Sequence, residues 1–321
     1  MSKAILGIDI AKHKFDVALL MNDKIKHKVC KNNPEGFDSL RTWLEKQKAP
    51  ALHACLEATS TYGEELATYL HDLGHKVSIV NPMQIKAFAQ SSLIRTKNDS
   101  VDADIIARFC LTMEPEAWQP PAPEERRLQA QLRRIEALIN MRIQEQNRLD
   151  VSHASVHNSI KEHIVYLEKE IESVKREIKE QINQTPDLKA KKDLLNSIPG
   201  ISDTTAANIL AELPDIKRFS HSRQVVAFLG LAPRQNESGT FKGKARICKI
   251  GNPRLRKALF MPALVAMSYN PIIKEFSARL RERGKHGKVI VCAVMRKLIH
   301  MIYGILKSGK PFSPDFNPKL A

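Results

Sequence analysis

A long stripe of aliphatic residues in the middle of the chain restricts what this sequence can fold into. Its members recur at alternating steps of four and three residues until the last step, with charged residues between them. They are Ile160, Ile164, Leu167, Ile171, Val174, Ile178 and Ile182. A similar stripe occupies residues 128–143. This spacing predicts two long helices, paired either as a hairpin within one chain or as a coiled coil between subunits, and both arrangements stay open.

A proline cluster separates these helices from a different pattern upstream. Pro120, Pro121 and Pro123 interrupt regular structure and mark a domain boundary. Residues 1–118 contain short apolar runs typical of strands, AILGIDIAK, KFDVALL, LHACLEA and KVSIV, interspersed with helical segments. Two early strands, a third expected at residues 26–29, and then alternating helix and strand predict an α/β ribonuclease-H-like, or RuvC-like, domain. We therefore expect this domain at 1–118, a helical coiled-coil hairpin at 119–186 and a mainly α-helical domain at 187–321.

The third segment begins with a candidate helix-hairpin-helix. Residues 194–213 place Pro199 and Gly200 between two helical patterns, and Ser202 or Asp203 is suited to cap the second helix. Such a turn can present backbone amides to a DNA phosphate. A plain pair of helices is the alternative.

The net positive charge lies almost entirely in the last third of the chain. Residues 1–118 hold 15 Lys and Arg against 15 Asp and Glu, residues 119–215 hold 14 against 16, and residues 216–321 hold 22 against 4. This asymmetry predicts that the last segment binds nucleic acid. An acidic membrane surface fits less well, because the basic residues do not form one amphipathic helix. With no membrane span and five widely spaced cysteines, we expect a cytoplasmic protein with reduced thiols.

Four carboxylates have the placement expected of a metal site. Asp9 lies in the middle of an apolar strand, where a buried carboxylate calls for a partner, and Glu57 ends a second strand. Asp99 and Asp102 are three residues apart at a helix start and face one way, whereas Asp104 points elsewhere. Together the four form an oxygen cage suited to Mg²⁺ or Mn²⁺. Taken singly, acids at a helix start more often complement the helix dipole.

Several short motifs resemble one known family. GIDIAK contains Asp9, EAT contains Glu57, and KNDSVDAD contains Asp99 and Asp102. SIPGI, FLGLAPR, ESG, GN-x-x-LRKAL and GKVIVCAVMRKL follow in the basic third, so the match covers nearly the whole chain. The chain resembles the DEDD transposases of the IS110 insertion-sequence family, which are related to the Piv DNA invertases and include bridge-RNA-guided recombinases.

The resemblance implies a mechanism and a set of partners. It makes residues 187–321 a transposase domain and Ser238, of the ESG motif, the nucleophile. It also implies donor and target DNA, a guide RNA from the non-coding end of the element, and a dimer or tetramer. From the residues alone, Ser238 is a loop serine, a common turn former, with basic neighbours suited to a phosphate. The basic residues predicted to contact nucleic acid are Arg234, Lys242, Lys244, Arg246, Lys249, Arg254 and Arg256.

Three functional hypotheses follow. The first is a transposase in which metal at the four carboxylates assists attack of Ser238 on a phosphodiester. The second is a RuvC-like nuclease or junction resolvase that uses metal-activated water, with the basic domain only holding DNA. The third is a nucleic-acid-binding assembly protein without enzymatic activity.

Overall fold

A computed structural model describes residues 4–58, 61–91, 99–234, 237–238, 240–243 and 246–314. The chain divides into two compact units, Met1–Pro120 (unit one) and Pro121–Ala321 (unit two). This division lies within the proline cluster Pro120–Pro123. The finer division of the second part at residue 186 stays a prediction, because the helical hairpin and the basic helices belong to one compact unit.

Unit one is built on a five-stranded mixed sheet in the order β3-β2-β1-β4-β5. The first three strands form an antiparallel meander, and β4 and β5 continue the sheet parallel to β1. This confirms the α/β class predicted for residues 1–118. The strands are β1 (Ala4–Ile10), β2 (Lys14–Met21), β3 (Lys24–Lys31), β4 (Leu52–Glu57) and β5 (Lys76–Val80).

Four α-helices accompany this sheet among the described residues. They are α1 (Pro34–Lys46), α2 (Glu64–Asp72), α3 (Pro82–Ser91) and α4 (Asp99–Met113). Helix α3 is not among the elements expected from the sequence, in which Asn81-Pro82 follows the run KVSIV and is typical of a turn. Proline is also favoured at the first position of a helix. The Asn81 side chain accepts from the backbone N–H of Met83 at 2.9 Å and starts α3.

Helix α4 lies directly on one face of the sheet because β1 contains a glycine. A Cβ on Gly7 would collide with the backbone of Ala103 and Ala107 in α4. Further along α4, the Cys110 Sγ lies 3.9 Å from the carbonyl oxygen of His53, which is level with the start of β1. The helix therefore runs antiparallel to β1, and its N-terminal end points toward the end of β1 that carries Asp9.

Unit two is mainly helical, as predicted. Its helices are α5 (Pro123–Val151), α6 (His157–Gln184), α7 (Pro186–Asn196), α8 (Asp203–Glu212), α9 (Ser222–Phe228), α10 (Pro253–Tyr269), α11 (Pro271–Glu282) and α12 (Gly287–Ser308). Four two-residue strands lie between α9 and α10: β6 (Pro233–Arg234), β7 (Glu237–Ser238), β8 (Phe241–Lys242) and β9 (Arg246–Ile247).

The two aliphatic stripes pack on each other within the chain. Leu138 on α5 and Leu167 and Ile171 on α6 form a small core between the helices. Nearer the root of the hairpin, Leu128 and Ile182 join the larger core of the basic helices. The seam is thus used by an intramolecular hairpin, and association between subunits stays a prediction.

Helix α12 is the core helix of unit two. Among the described helices it alone has the length and apolar composition to cross a membrane, and 67% of the relevant window is buried inside the protein. Its Tyr303 hydroxyl donates to the carbonyl oxygens of Phe219 and Ser220, at 3.0 and 2.9 Å. The apolar side chains of α12 pack in the core of the unit, which accounts for its composition.

Candidate active site

Two of the predicted carboxylates stand side by side at one edge of the sheet. The parallel register of β1 and β4 pairs Ile8 with Leu56, so the next residues, Asp9 and Glu57, are level with each other. Ile8 and Leu56 face the core shared with α1 and α2. Because side chains alternate along a strand, Asp9 and Glu57 are assigned to the opposite face, which α4 covers. Both residues are partly exposed.

A third carboxylate, which the sequence analysis missed, belongs to the same row. Asp16 on β2 is the direct cross-strand partner of Asp9, and directly opposed residues share a face of the sheet. Its side chain is 12% exposed and lies 3.1 Å from the ammonium of Lys14. The signal was available in the sequence: Asp16 is an acid within the apolar run KFDVALL, the same criterion that selects Asp9.

The helical pair stands at the start of α4. Asp102 is partly exposed in its first turn; Asp99 is its first residue, and the Asp99 side chain is outside the described structure. Since α4 begins toward the level of Asp9 and Glu57, its positive dipole end is directed toward that edge. Asp104, which the sequence excludes, has a different partner, the Nε2 of His27 on β3 at 2.7 Å.

This acidic edge suits a divalent cation by its chemistry. Like charges opposite each other destabilise a sheet, so positive charge beside the row of Asp16, Asp9 and Glu57 stabilises it. Carboxylate oxygens are the preferred ligands of Mg²⁺ and Mn²⁺. Among the side chains that the structure describes, no group of three or more His, Cys, Asp or Glu is arranged to hold a metal ion. The predicted quartet includes Asp99, whose side chain is outside that set.

Two buried thiols lie beneath this edge. Cys55 on β4 and Cys110 on α4 are both inaccessible to solvent. A hydrogen bond from Cys55 lowers the pKa of Cys110 to about 6, although burial alone acts in the opposite direction. The pKa of Cys55 is raised, first by that hydrogen bond and then by burial. All five cysteines are free and three are buried, as the sequence predicts.

Ser238 lies on a short β-hairpin, so the prediction that it is a loop residue is wrong. Strand β7 pairs antiparallel with β8, with Ser238 opposite Phe241, so two residues separate these partners. Strand β6, which precedes β7 in the chain, pairs with β9, which follows β8. Ser238 is therefore the last strand residue before the tip of a hairpin, and it is exposed. An exposed hydroxyl at a tip is open to a large substrate such as DNA.

The root of this hairpin is fastened to the core of unit two. Cys248 N–H donates to the Ala232 carbonyl and Asn252 N–H to the Phe228 carbonyl, both at 2.9 Å. Gly251 has φ +142°, and a Cβ there would collide with the backbone of Phe228. These contacts hold the strands that lead to Ser238 at a defined position on the unit.

The predicted nucleic-acid contacts divide into two groups. Arg256 Nη1 donates to the carbonyl oxygens of Leu229 at 2.6 Å and Gly251 at 3.2 Å, so it fastens the hairpin root. Arg254 pairs with Glu136 and Glu212 at 3.7 and 3.6 Å. Both have structural partners, which weakens their assignment to DNA or RNA.

The remaining candidates face solvent or fall outside the described side chains. Arg234, Arg246 and Lys249 are exposed. The Lys242 side chain and all of Lys244 lie outside the described part of the chain.

The candidate helix-hairpin-helix is present as two helices, α7 and α8. Ser202 caps α8, its hydroxyl accepting from the Thr205 N–H at 3.4 Å. Asp203, at the first position of α8, accepts from Asn196 and lies 3.7 Å from the ammonium of Lys192. A carboxylate thus already stands at the helix end where a phosphate was expected. The geometry favours a structural hairpin here.

The family comparisons agree with this arrangement of motifs. A family model described as "Transposase" (DEDD_Tnp_IS110) matches residues 6–152, and one described as "Transposase IS116/IS110/IS902 family" matches residues 192–278. The pilin gene-inverting protein of Moraxella bovis is 35% identical over 316 residues, which cover 97% of this chain and 98% of that protein. The chain belongs to the IS110 family of transposases.

A second relative extends the match to a named insertion sequence. The transposase of IS1328 from Yersinia enterocolitica is 27% identical over 347 residues, covering 96% of this chain and 98% of that protein. As a member of this family, the protein is a DNA-cleaving and rejoining enzyme. The DEDD family match also indicates a divalent metal requirement.

Proposed function

We propose that this transposase exchanges strands between donor and target DNA through a serine nucleophile, Ser238, assisted by metal held at Asp9, Glu57, Asp99 and Asp102. The observation that supports it most is the level placement of Asp9 and Glu57 on adjacent parallel strands, below the start of α4. The sheet order, with an antiparallel β1-β2-β3 meander and parallel β4 and β5, supports a RuvC-like fold for unit one.

The chain's own groups divide the reaction as follows. Ser238 Oγ attacks a backbone phosphorus, the new O–P bond forms, the bond to one deoxyribose oxygen breaks, and that oxygen takes up a proton while Oγ loses its own. Attack by a DNA hydroxyl on the serine-linked phosphate reverses these steps and rejoins the strand. A bound Mg²⁺ or Mn²⁺ would supply stabilisation of negative charge on the phosphate.

The proposed partners are donor and target DNA and a guide RNA from the element's non-coding end. The resemblance to bridge-RNA-guided recombinases supports the guide, and the acid-poor segment 216–321 supports polyphosphate binding. We also propose a cytoplasmic homo-oligomer, a dimer or tetramer.

The serine mechanism is tested by trapping a covalent adduct. Purified protein is incubated with a plasmid carrying its element, Mg²⁺ and the co-purified RNA, then denatured and analysed for DNA-linked protein. Wild type and the exposed control Ser268→Ala form the adduct, whereas Ser238→Ala forms none and does not cleave. Cleavage by Ser238→Ala would favour the water-activating nuclease instead. Transposition in cells by Asp9→Ala would contradict the metal part of the proposal and leave the role of Ser238 unaffected.

The guide RNA is tested separately by sequencing nucleic acid that co-purifies with the full chain. The proposal predicts one enriched RNA that maps to the non-coding end of the element. A sample of unrelated cellular RNA, with unchanged DNA cleavage after ribonuclease treatment, would remove the guide from the proposal without affecting Ser238.

A further inference from the structure

Two arginines oppose each other on the hairpin that carries Ser238. The antiparallel register of β6 and β9 makes Arg234 and Arg246 direct cross-strand partners. Directly opposed residues point to the same side and have Cβ atoms about 5 Å apart. The hairpin therefore presents two guanidinium groups on one side.

The pair has little to offset its charge. Both residues are exposed, and among the described side chains neither arginine has a hydrogen bond or an ion pair. Segment 216–321 holds only 4 acidic residues, one of which, Glu237 on β7, is opposite Lys242. Like charges directly opposite each other destabilise a strand pair, and an anion between them removes that penalty. The contrast with Arg254 and Arg256, which have protein partners, sets these two apart.

The position of the pair suits a particular anion. Ser238 is four residue steps after Arg234, which corresponds to at most about 13 Å along an extended strand. DNA rises about 3.4 Å per nucleotide, so this distance spans about four nucleotides at most. A planar guanidinium offers paired N–H groups that match phosphate oxygens, and two such groups can grip one phosphate from both sides.

We propose that Arg234 and Arg246 form a clamp for a single backbone phosphate of the DNA strand that Ser238 attacks, close to the scissile position. The inference rests on the proposed role of Ser238 for the identity of that strand. The clamp itself is a phosphodiester site that aligns the strand and takes no part in bond making. Arg234 and Arg246 are thus positioning residues.

The clamp is tested by DNA binding, which does not require cleavage. The full chain is titrated against a fluorescein-labelled duplex of about 40 base pairs between about 50 and 200 mM salt, and anisotropy is followed. Arg234→Gln and Arg246→Gln are each expected to weaken binding about tenfold and to lower the salt slope by about one. Since both groups hold one phosphate, the double variant should lose hardly more than either single variant.

Two further variants make the result specific. Arg234→Lys/Arg246→Lys keeps both charges but loses the paired N–H groups, so its salt slope should stay near wild type while its affinity falls. Arg281→Gln/Arg283→Gln, exposed at the end of α11, removes the same charge away from the hairpin and should change affinity less than twofold. Circular dichroism confirms that each variant is folded.

Additive losses in the double variant, or losses equal to those of the α11 control, would overturn the clamp. Repeating the titration with Ser238→Ala separates the two proposals. The non-additive effect of the two arginines is measured in Ser238→Ala as well as in the wild-type background. If it is seen in Ser238→Ala and wild-type protein forms no adduct at Ser238, the clamp stands and the serine mechanism is wrong. If the adduct forms on Ser238 and the losses of the two arginine variants add, the serine mechanism stands and the clamp is wrong.

Discussion

The acidic edge of unit one and the Ser238 hairpin of unit two are built in opposite ways. The edge is held by a five-stranded sheet whose register places Asp16, Asp9 and Glu57 in one row, under a helix that packs directly on β1. The hairpin is built from two-residue strands, fastened at its root and exposed at its tip. The edge is thus organised by packing across the sheet, whereas the Ser238 side chain is exposed at the hairpin tip.

This difference indicates how the two regions respond to mutation. Side chains at the edge are fixed by packing that extends across the sheet, so changes there affect chemistry and stability together. Side chains near the hairpin tip are exposed, and their replacement should change DNA handling while leaving the fold of unit two intact. Three predictions concern the edge and its support, and a fourth concerns a histidine of unit two; their expected effects decrease in that order.

Asp9→Asn should lower the rate of DNA cleavage by roughly 10³-fold or more, because it removes one charge from the edge that we propose holds the cation. Purified variant and wild type are compared in a cleavage assay at saturating Mg²⁺. Asp72→Asn, an exposed acid at the end of α2, serves as the matched control and should cleave normally. Normal cleavage by Asp9→Asn would remove the acidic edge from the mechanism.

Gly7→Ala should lower the free energy of unfolding of unit one by about 3 kcal/mol, because the new Cβ forces α4 away from β1. Trp43 and Trp118 are the only tryptophans and both lie in unit one, so their fluorescence reports its unfolding in urea. Gly74→Ala is the control: it meets nothing within 4 Å but has φ +83°, and should cost about 1 kcal/mol. Equal losses in the two variants would show that α4 does not depend on Gly7.

Asp16→Asn should raise the Mg²⁺ concentration needed for half-maximal cleavage about tenfold, since the row loses one carboxylate beside Asp9. Lys14→Met should lower the Mg²⁺ concentration needed for half-maximal cleavage, because the Lys14 ammonium pairs with Asp16 and competes with a cation for it. Both variants are measured in one Mg²⁺ titration of the cleavage rate. An unchanged midpoint in both would limit Asp16 to a structural role.

The last substitution concerns His300 in the core of unit two, whose pKa is lowered from 6.5 by burial and by nearby Lys297, Arg296 and Arg223. Below pH about 6.5 the unfolded chain binds a proton that the folded chain resists, so stability falls as pH drops from there toward the folded pKa. His300→Gln should flatten this decline by less than about 1 kcal/mol, because the partly exposed ring is screened by water.

Urea unfolding followed by circular dichroism at several pH values measures the effect. His221→Gln, an exposed histidine before α9, is the control. A steeper decline in His300→Gln than in wild type would show that the sign is wrong.

Sequence patterns predicted the parts of the fold that periodicity determines. The strands of unit one, the two long helices and the helical class of unit two follow from apolar spacing, and they are confirmed. Helix α3 was missed because Pro82 and Asn81 signal a turn as well as a helix start. The register that brings Asp16 opposite Asp9 depends on pairing between strands, which spacing along one strand does not reveal.

The candidate site divides in the same way. Asp9 and Glu57 were found because an acid in an apolar strand is conspicuous, and the strands place them level. Arg254 pairs with Glu212, and Arg256 donates to the Leu229 carbonyl, and both partners are distant in sequence. The sequence therefore could not show that these two of the predicted nucleic-acid contacts have structural partners. The opposition of Arg234 and Arg246 likewise appears only once β6 and β9 are paired.

The most direct test of the account is to identify the amino acid that becomes linked to DNA. The trapped adduct is digested with nuclease and trypsin, and the peptides are analysed by mass spectrometry. The account predicts a nucleotide on the peptide that contains Ser238, and none in Asp9→Asn. A nucleotide on any other residue, or cleavage that leaves every peptide unmodified, would contradict it.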